Sequence, residues 1–429
     1  MNITIEQLYQ IYREHPLIST DTRKIETGSL FFALKGANFN GNKFALQALE
    51  KGAAYAIIDE EEFATNERCL LVDNVLTCLQ ELSAFHRQQF DIPIIAVTGS
   101  NGKTTTKELL NQVLSKKFKT HATEGNFNNH IGVPLTLLKM PEDTEIALIE
   151  MGDNHMGEVA ALCQIAHPTH GFITNIGKDH LEGFGNFENN IRAKSEIFDY
   201  LIKHDGIAFI NSKDPILKNM AKRFKNPIWY GGEYDFAFLE LEGAHPYISY
   251  KDRQEELIQT QLIGAYNFEN ILLTFCIGKY FEVTNQDIHE AIRSYTPSNN
   301  RSQLIEKGSN IIILDAYNAN PSSVEAALES FDSFETKKEK VVIIGDMLEL
   351  GNISEEEHQK MIELASSKSF ERRIFVGPLF HQSIELEGIE KYADKELLVK
   401  NLTENPLSNS AILIKGSRGI KLETLLDVL

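Results

Sequence analysis

Apolar residues recur along this chain at several spacings, and each change of spacing marks a change of element. Ile5, Leu8, Ile11 and Tyr12 fall three and four apart, the period of a helix with one buried face. The run 29–34 is strand-like, and 54–58 reads as a buried segment. A helical stretch from about 75 to 90 ends before Pro93, because the residue preceding a proline is pushed out of helical geometry. Residues 1–92 are therefore expected to form a first unit.

From residue 93 the pattern shifts. Ile94, Ile95, Ala96 and Val97 make the short β-branched run of a buried parallel strand. A glycine-bearing turn follows, then a helix over about 104–116. Strand-like runs return at 146–151, 171–175 and 206–211 with helical stretches between them, the alternation of βαβ units. Residues 226–262 differ: short, partly alternating segments with Gly231, Gly232 and Pro246 predict antiparallel hairpins. Helices near 266–281 and 285–294 close a second unit, 93–296. A third unit, 297–429, repeats the pattern with strands at 310–316, 341–345, 373–377 and 411–415, each followed by a helical pattern. The expected fold class is α/β in three domains in series.

Composition narrows this little. The 429 residues are 42% hydrophobic and 24% charged, as in a globular protein. A formal net charge of -19 opposes a broad nucleic-acid or anionic-membrane surface, while leaving room for a local basic pocket. The four cysteines lie far apart with no C-x-x-C pair, which suits a reducing compartment. The first residues lack the apolar core of a signal peptide, and no apolar run approaches the roughly 20 residues that span a bilayer. The expectation is a cytoplasmic protein without membrane insertion or nucleic-acid partner. It is also expected to be a monomer, since no coiled-coil heptad appears.

The sharpest chemical signal follows the strand at 94–97. Thr98-Gly99-Ser100-Asn101-Gly102-Lys103-Thr104-Thr105 leads into a helix and has the parts of a phosphate cradle. Glycines let backbone N–H groups approach phosphate oxygens, and the helix N-terminus adds positive potential. Lys103 can reach the outer phosphates, and the Thr104 hydroxyl can ligate Mg²⁺. Val97 stands where the strict G-x-x-x-x-G-K-[ST] pattern has its first glycine. Behind the loop, Glu150 ends a strand, where ligands bind in an open α/β sheet. His180 follows the next strand, and Lys194 lies fourteen residues further on. Taken singly, each has an ordinary reading as a cap, a packing residue or a solvated charge. His155-Met156-Gly157-Glu158 lacks the spacing of a zinc motif.

Taken together, these segments resemble the central-domain motifs of the Mur ligases. The matching stretches are 98–105, Thr174-Asn175-Ile176-Gly177-Lys178-Asp179-His180-Leu181 and Ala193-Lys194-Ser195-Glu196. The resemblance continues, in order, through 124–134, 151–155, Asp315-Ala316-Tyr317-Asn318-Ala319-Asn320-Pro321, 345–351 and 415–418, and is nearest to the D-alanyl-D-alanine-adding branch. In the first unit, Asp21-Thr22-Arg23 and 28–36 resemble a UDP-binding region.

The resemblance implies a UDP-substrate-binding domain over 1–92 and a P-loop-type mononucleotide-binding domain with a mostly parallel sheet over 93–296. A Rossmann-like domain over 297–429 would close on the nucleotide and bind the incoming dipeptide. ATP would be held by Gly99, Ser100, Asn101, Gly102, Lys103, Thr104 and Thr105, with Asn267, Asn270, Arg301 and Asp315. The catalytic residues would be Lys103, Glu150, His180 and Lys194, and Mg²⁺ would involve Thr104, Glu150, His180 and Lys194, the last as a carbamate. Substrate contacts would come from Thr22, Arg23, Lys35, Asn126, Asn128, Asn129, Tyr317, Asn318, Asn320, Lys415, Ser417 and Arg418. No glycine precedes Arg301, and the usual methionine after Arg418 is absent, two departures from the family pattern.

The implied reaction joins D-alanyl-D-alanine to UDP-N-acetylmuramoyl-tripeptide through an acyl phosphate. Two other readings stand beside it. One is another ligase of the superfamily, adding the third amino acid or extending folylpolyglutamate; the other is a nucleotide-dependent switch without ligase activity.

Overall fold

A computed structural model describes residues 3–244 and 246–429; Met1 and Asn2 of the expected first unit, and His245 of the 226–262 stretch, lie outside the described residues. Each of the larger sheets draws its strands from one stretch of chain. The first contains Ile18–Ser19, Leu30–Phe32, Tyr55–Ile58 and Cys69–Leu71 in that order, all parallel. Leu30 and Phe32 face a core built with helices Ile5–Glu14 and Val75–Arg87, while Phe31 packs on the other face with Ala48 and Ala56. The period of two along this strand thus serves two apolar layers.

The central sheet runs Ile228–Tyr230, Ile207–Asn211, His170–Ile173, Ile94–Thr98, Ile146–Glu150, Thr120–Ala122, and every pair is parallel. The strand Ile94–Thr98 is buried at all five positions because helices cover both sheet faces. Its register pairs Val97 with Glu150 and Thr98 with Ile173, so three strands end together. The chain leaves this central strand towards neighbours on both sides, which opens a crevice at their carboxyl ends.

The third large sheet has the order Gln303–Lys307, Asn310–Asp315, Ser410–Lys415, Glu339–Gly345, Arg372–Val376, Ile389–Tyr392. Its first pair is antiparallel and the rest are parallel. The fold is α/β, with mostly parallel sheets.

Two expectations need correction. Residues 226–262 are not hairpins throughout: Ile228–Tyr230 is a parallel edge strand of the central sheet, and only Glu240–Ala244, Tyr247–Lys251 and Leu257–Ile263 form an antiparallel unit. Tyr230 is 1% exposed, so the Ile-Trp-Tyr run gains more from sheet burial than from a local hairpin. After Ser410–Lys415 the chain makes short 3-10 turns, Arg418–Ile420 and Leu422–Asp427, instead of a helix. Lys421 sits at φ 59, which interrupts helical geometry, while Leu422 and Leu425 still bury.

Candidate functional site

The phosphate loop leaves the central strand in a shape that only glycine allows. Gly99 lies at φ 137, and a Cβ there would stand 2.1 Å from Thr174 Oγ1. Gly102 lies at φ 80, and its Cβ would stand 2.5 Å from Asn270 Oδ1. The loop is tied to the neighbouring strand end: Asn101 N–H donates to Asn175 Oδ1 at 3.0 Å, and the Thr174 hydroxyl donates to Asn101 O at 2.7 Å. Helix Lys103–Leu114 starts immediately after Gly102. The Lys103 ammonium folds back onto Gly99 O and Ser100 O. Burial, helped by the nearby Lys194 charge, pushes the Lys103 pKa below its ordinary value. An incoming anion would relieve both effects.

Glu150 is delivered by its strand into the same crevice and is 1% exposed. Its Oε1 accepts from the Thr104 hydroxyl at 3.1 Å and from Asn128 Nδ2 at 2.9 Å. Its Oε2 is buried with no hydrogen-bond partner, the nearest cation being Lys107 Nζ at 3.8 Å. A buried carboxylate oxygen without a partner is costly, so this one is suited to a hard cation bound in the cavity.

Lys194 is fully buried on helix Phe187–Lys203. Its ammonium sits 3.1 and 3.2 Å from the Asp153 oxygens and 3.2 Å from Asp179 Oδ2. Asp179 also accepts from the Ser100 hydroxyl and from Asn190 Nδ2. Burial alone would raise the Asp179 pKa, but the Lys194 and Lys103 charges and these hydrogen bonds outweigh it and hold the carboxyl below its usual value. The phosphate loop and Lys194 are therefore parts of one buried ionic network.

The C-terminal sheet closes over this crevice. Asn320 Nδ2 donates to Asn101 Oδ1 at 2.9 Å, and Asn101 Nδ2 donates to Ser322 Oγ at 3.2 Å. Lys178 pairs with Glu357 at 2.8 Å, and His180 Nδ1 meets Glu349 Oε2 at 2.5 Å. Asp315 and Lys415 lie in register on adjacent strands and pair at 2.6 Å. The Arg301 guanidinium stacks 3.8 Å from the Tyr317 ring centroid. Asn270 Nδ2 donates to Asn267 Oδ1 at 2.8 Å, and Tyr266 shares a hydroxyl contact with Ser302 at 2.8 Å.

These groups surround a cavity of about 750 Å³. Of the sequence-predicted residues, Ser100 to Thr105, Asn126, Asn128, Asn129, Glu150, His180, Asn267, Asn270, Arg301, Asp315, Tyr317, Asn318 and Lys415 line it. Gly99 packs against Thr174 and does not line the cavity, and Asn320, capping helix Pro321–Asp332, braces the loop from the third sheet's domain. Lys194 is set behind the wall, while Ser417 accepts from Leu348 N–H at 3.0 Å and Arg418 lies 5.6 Å from the Tyr317 ring. Thr22, Arg23 and Lys35 are not brought to the cavity: Arg23 pairs with Asp21 at 2.7 Å, and Lys35 with Asp59 at 3.0 Å.

The four residues expected around Mg²⁺ are engaged with different partners. Thr104 touches Glu150, His180 turns to Glu349 and Lys194 to two aspartates. Among the described residues no three His, Cys, Asp or Glu side chains gather as a ready metal cage. Sequence reasoning also passed over Asp153, Asp179, Ser322 and Glu349. The first two and Glu349 lie inside segments that carry the family resemblance, where an acid beside His180 or near Lys194 was the available signal.

Comparison with known proteins covers the whole arrangement. Family models described as Mur ligase family catalytic domain, Mur ligase middle domain, and Mur ligase glutamate ligase domain match residues 16–87, 97–278 and 300–418. The chain is 36% identical over 420 residues to a UDP-N-acetylmuramoyl-tripeptide–D-alanyl-D-alanine ligase of Bacillus subtilis, covering 95% of this chain and 91% of that one. The crystal structure of MurF from Acinetobacter baumannii superposes with a TM-score of 0.87 at 28% identity, covering 100% and 98% of the two chains. MurF ligase from Thermotoga maritima, solved in complex with ADP, gives a TM-score of 0.85 at 27% identity, covering 96% of each chain.

Proposed function

The chain belongs to the Mur ligase family, and on that premise we propose that it uses ATP to join D-alanyl-D-alanine to UDP-N-acetylmuramoyl-tripeptide in peptidoglycan precursor synthesis. The observation that carries this reading is the single cavity shared by the phosphate loop and by Asp315 of the third sheet, with Arg301 and Tyr317 from the loops flanking that sheet's first two strands. The likeness to a UDP-N-acetylmuramoyl-tripeptide–D-alanyl-D-alanine ligase over 95% of this chain supports the branch. In this proposal residues 1–92 hold the UDP substrate, 93–296 hold ATP, and 297–429 close on the nucleotide and take the dipeptide. Thr22, Arg23 and Lys35 then act at a separate UDP end, which suits their distance from the cavity. The enzyme acts as a monomer in the cytoplasm. Among the described residues no helix is long and apolar enough to cross a membrane.

A carboxylate is a poor electrophile at neutral pH. The substrate carboxylate attacks the γ-phosphorus of ATP, giving an acyl phosphate and ADP; the dipeptide amine then attacks the acyl carbon, releases phosphate and loses a proton. Phosphoryl transfer depends mainly on positioning and on stabilising the charge spread over the oxygens. Lys103 supplies a half-buried ammonium already directed into the loop, and its depressed pKa rises as phosphate approaches. Backbone N–H groups of the loop and the start of helix Lys103–Leu114 add aligned dipoles. Asn267 and Asn270 brace the helix side, while Arg301, on the nucleotide side, is held in place by its stack on the Tyr317 ring.

Thr104, with the unpartnered oxygen of Glu150, fits Mg²⁺, which when bound would neutralise phosphate charge. As they stand, Asp153 and Asp179 fit the ammonium form of Lys194. A carbamate would add a third buried anion and so requires a compensating cation. Carbamylation of Lys194 therefore belongs to the metal-loaded state in this proposal.

A panel of acceptors tests the branch. With ATP, Mg²⁺ and UDP-muramoyl substrates, D-alanyl-D-alanine is expected to give product, while lysine, diaminopimelate and glutamate give none. Product from a single amino acid in place of the dipeptide would assign a different ligase; nucleotide binding with no product from any acceptor would favour the switch.

A further inference from the structure

We propose that Glu349 is a positioning residue for His180, supplied by the third sheet's domain only when that domain is closed on the central one. The inference rests on the ligase reading above, in which the cavity that His180 lines holds ATP.

His180 Nδ1 lies 2.5 Å from Glu349 Oε2 as an ion-pair approach outside hydrogen-bond geometry, and that buried nitrogen has no hydrogen-bond partner among the described residues. Both residues have left-handed backbones, φ 49 and φ 66, which residues other than glycine rarely adopt. Facing outliers of this kind mark a place where surrounding contacts enforce the geometry. Here those contacts are explicit. Glu182 N–H donates to Glu349 O at 3.1 Å, stitching the two loops together beside the side-chain pair. A Cβ on Gly351 would come 3.1 Å from Glu182 Cα, so the second loop lies flush against helix Leu181–Phe184.

The loop carrying Glu349 is itself fixed from behind. Asp346 accepts from Leu379 and Phe380 N–H at 3.0 and 2.9 Å. Met347 N–H donates to His358 Nε2 at 3.1 Å, while His358 Nδ1 lies 2.7 Å from Ser354 O. Leu348 N–H donates to Ser417 Oγ. Glu349 therefore projects from a rigid support, although its own side chain is 57% exposed and free to rotate into line with the imidazole.

A histidine that serves a metal or phosphate is oriented by the partner on its other nitrogen, which also fixes the tautomer. Glu349 opposite Nδ1 selects the Nδ1-protonated ring and leaves the Nε2 lone pair for the cavity that His180 lines. Because the carboxylate comes from the other domain, the ring is set only after closure. Phosphoryl transfer is then confined to the state from which water is excluded.

The test compares Glu349→Ala and Glu349→Gln in the full-length protein with wild type. For the alanine variant kcat is expected to fall about 10- to 100-fold with little change in the KM for ATP. Glutamine keeps an acceptor oxygen and should retain most of kcat. In parallel, ¹⁵N-histidine NMR with ADP and Mg²⁺, assigned with His180→Gln, should show an Nδ1-protonated ring in wild type and a mixed tautomer in the alanine variant. Unchanged kcat in Glu349→Ala, an equal fall in Glu349→Gln, or identical tautomers would each overturn the proposal. If wild type itself makes no pentapeptide product, the ligase reading fails, while the tautomer comparison still decides the role of Glu349.

Discussion

Asn320 donates to Asn101 across 219 positions of chain, so the third sheet's domain grips the phosphate loop by the side chain at its tip. A single polar contact of this kind contributes about 1 kcal/mol, or about fivefold in an equilibrium. Asn320→Ala is therefore expected to shift the closed arrangement about fivefold towards open. Interdomain fluorescence transfer or small-angle scattering would read the shift. An unchanged distribution would mean that Lys178–Glu357 and His180–Glu349 hold closure without it.

Lys194→Ala leaves Asp153 and Asp179 buried without their cation. Loss of one partner from a buried pair costs about 3–5 kcal/mol, so a clear fall in Tm should accompany loss of turnover. If the carbamate operates, short carboxylates should restore part of the activity when Mg²⁺ and nucleotide are present. Rescue by short alkylamines alone would instead assign Lys194 a purely cationic role.

The local parts of this site were legible in the sequence, and the long-range ones were not. Gly99, Gly102 and Lys103 announce a phosphate loop because turn, helix start and charge are adjacent. Glu150, His180 and Lys194 drew attention through their place after strands and their family resemblance. Their partners arise differently: Asp153 reaches Lys194 across 41 positions, and Glu349 reaches His180 through domain contact. Neither relation is encoded in a spacing. The short strand Ile228–Tyr230 was misread for a similar reason, since its pairing with Ile207–Asn211 depends on sheet burial and not on a local pattern.

Arg301 lies over Tyr317, and Nε of Arg301 is buried without a hydrogen-bond partner. Tyr317→Leu removes the stack, an interaction of about 0.5–2 kcal/mol. The KM for ATP should rise by about two- to thirtyfold, with kcat much less affected. A fall in kcat at unchanged KM would place Tyr317 at the dipeptide instead.

His170 sits in the central sheet against Phe209, Tyr280 and Phe281, and burial holds its pKa down at about 4. Above pH 6.5 the ring is neutral in both folded and unfolded chains. As pH falls from 6.5 towards 4, the unfolded chain binds a proton that the folded one refuses, so stability drops by up to about 3 kcal/mol. Urea midpoints at pH 7 and pH 5 should differ less in His170→Phe than in wild type. Equal differences would show that other groups carry the acid sensitivity.

The most direct measurement of the central claim follows phosphate release and product mass with ATP, Mg²⁺, UDP-N-acetylmuramoyl-tripeptide and D-alanyl-D-alanine, using wild type and Lys103→Ala. Wild type should release phosphate only when both substrates are present and yield the pentapeptide mass. Lys103→Ala should still bind the UDP substrate but lose at least about 100- to 1000-fold in turnover. Phosphate release without pentapeptide, or near-normal turnover in Lys103→Ala, would contradict the account.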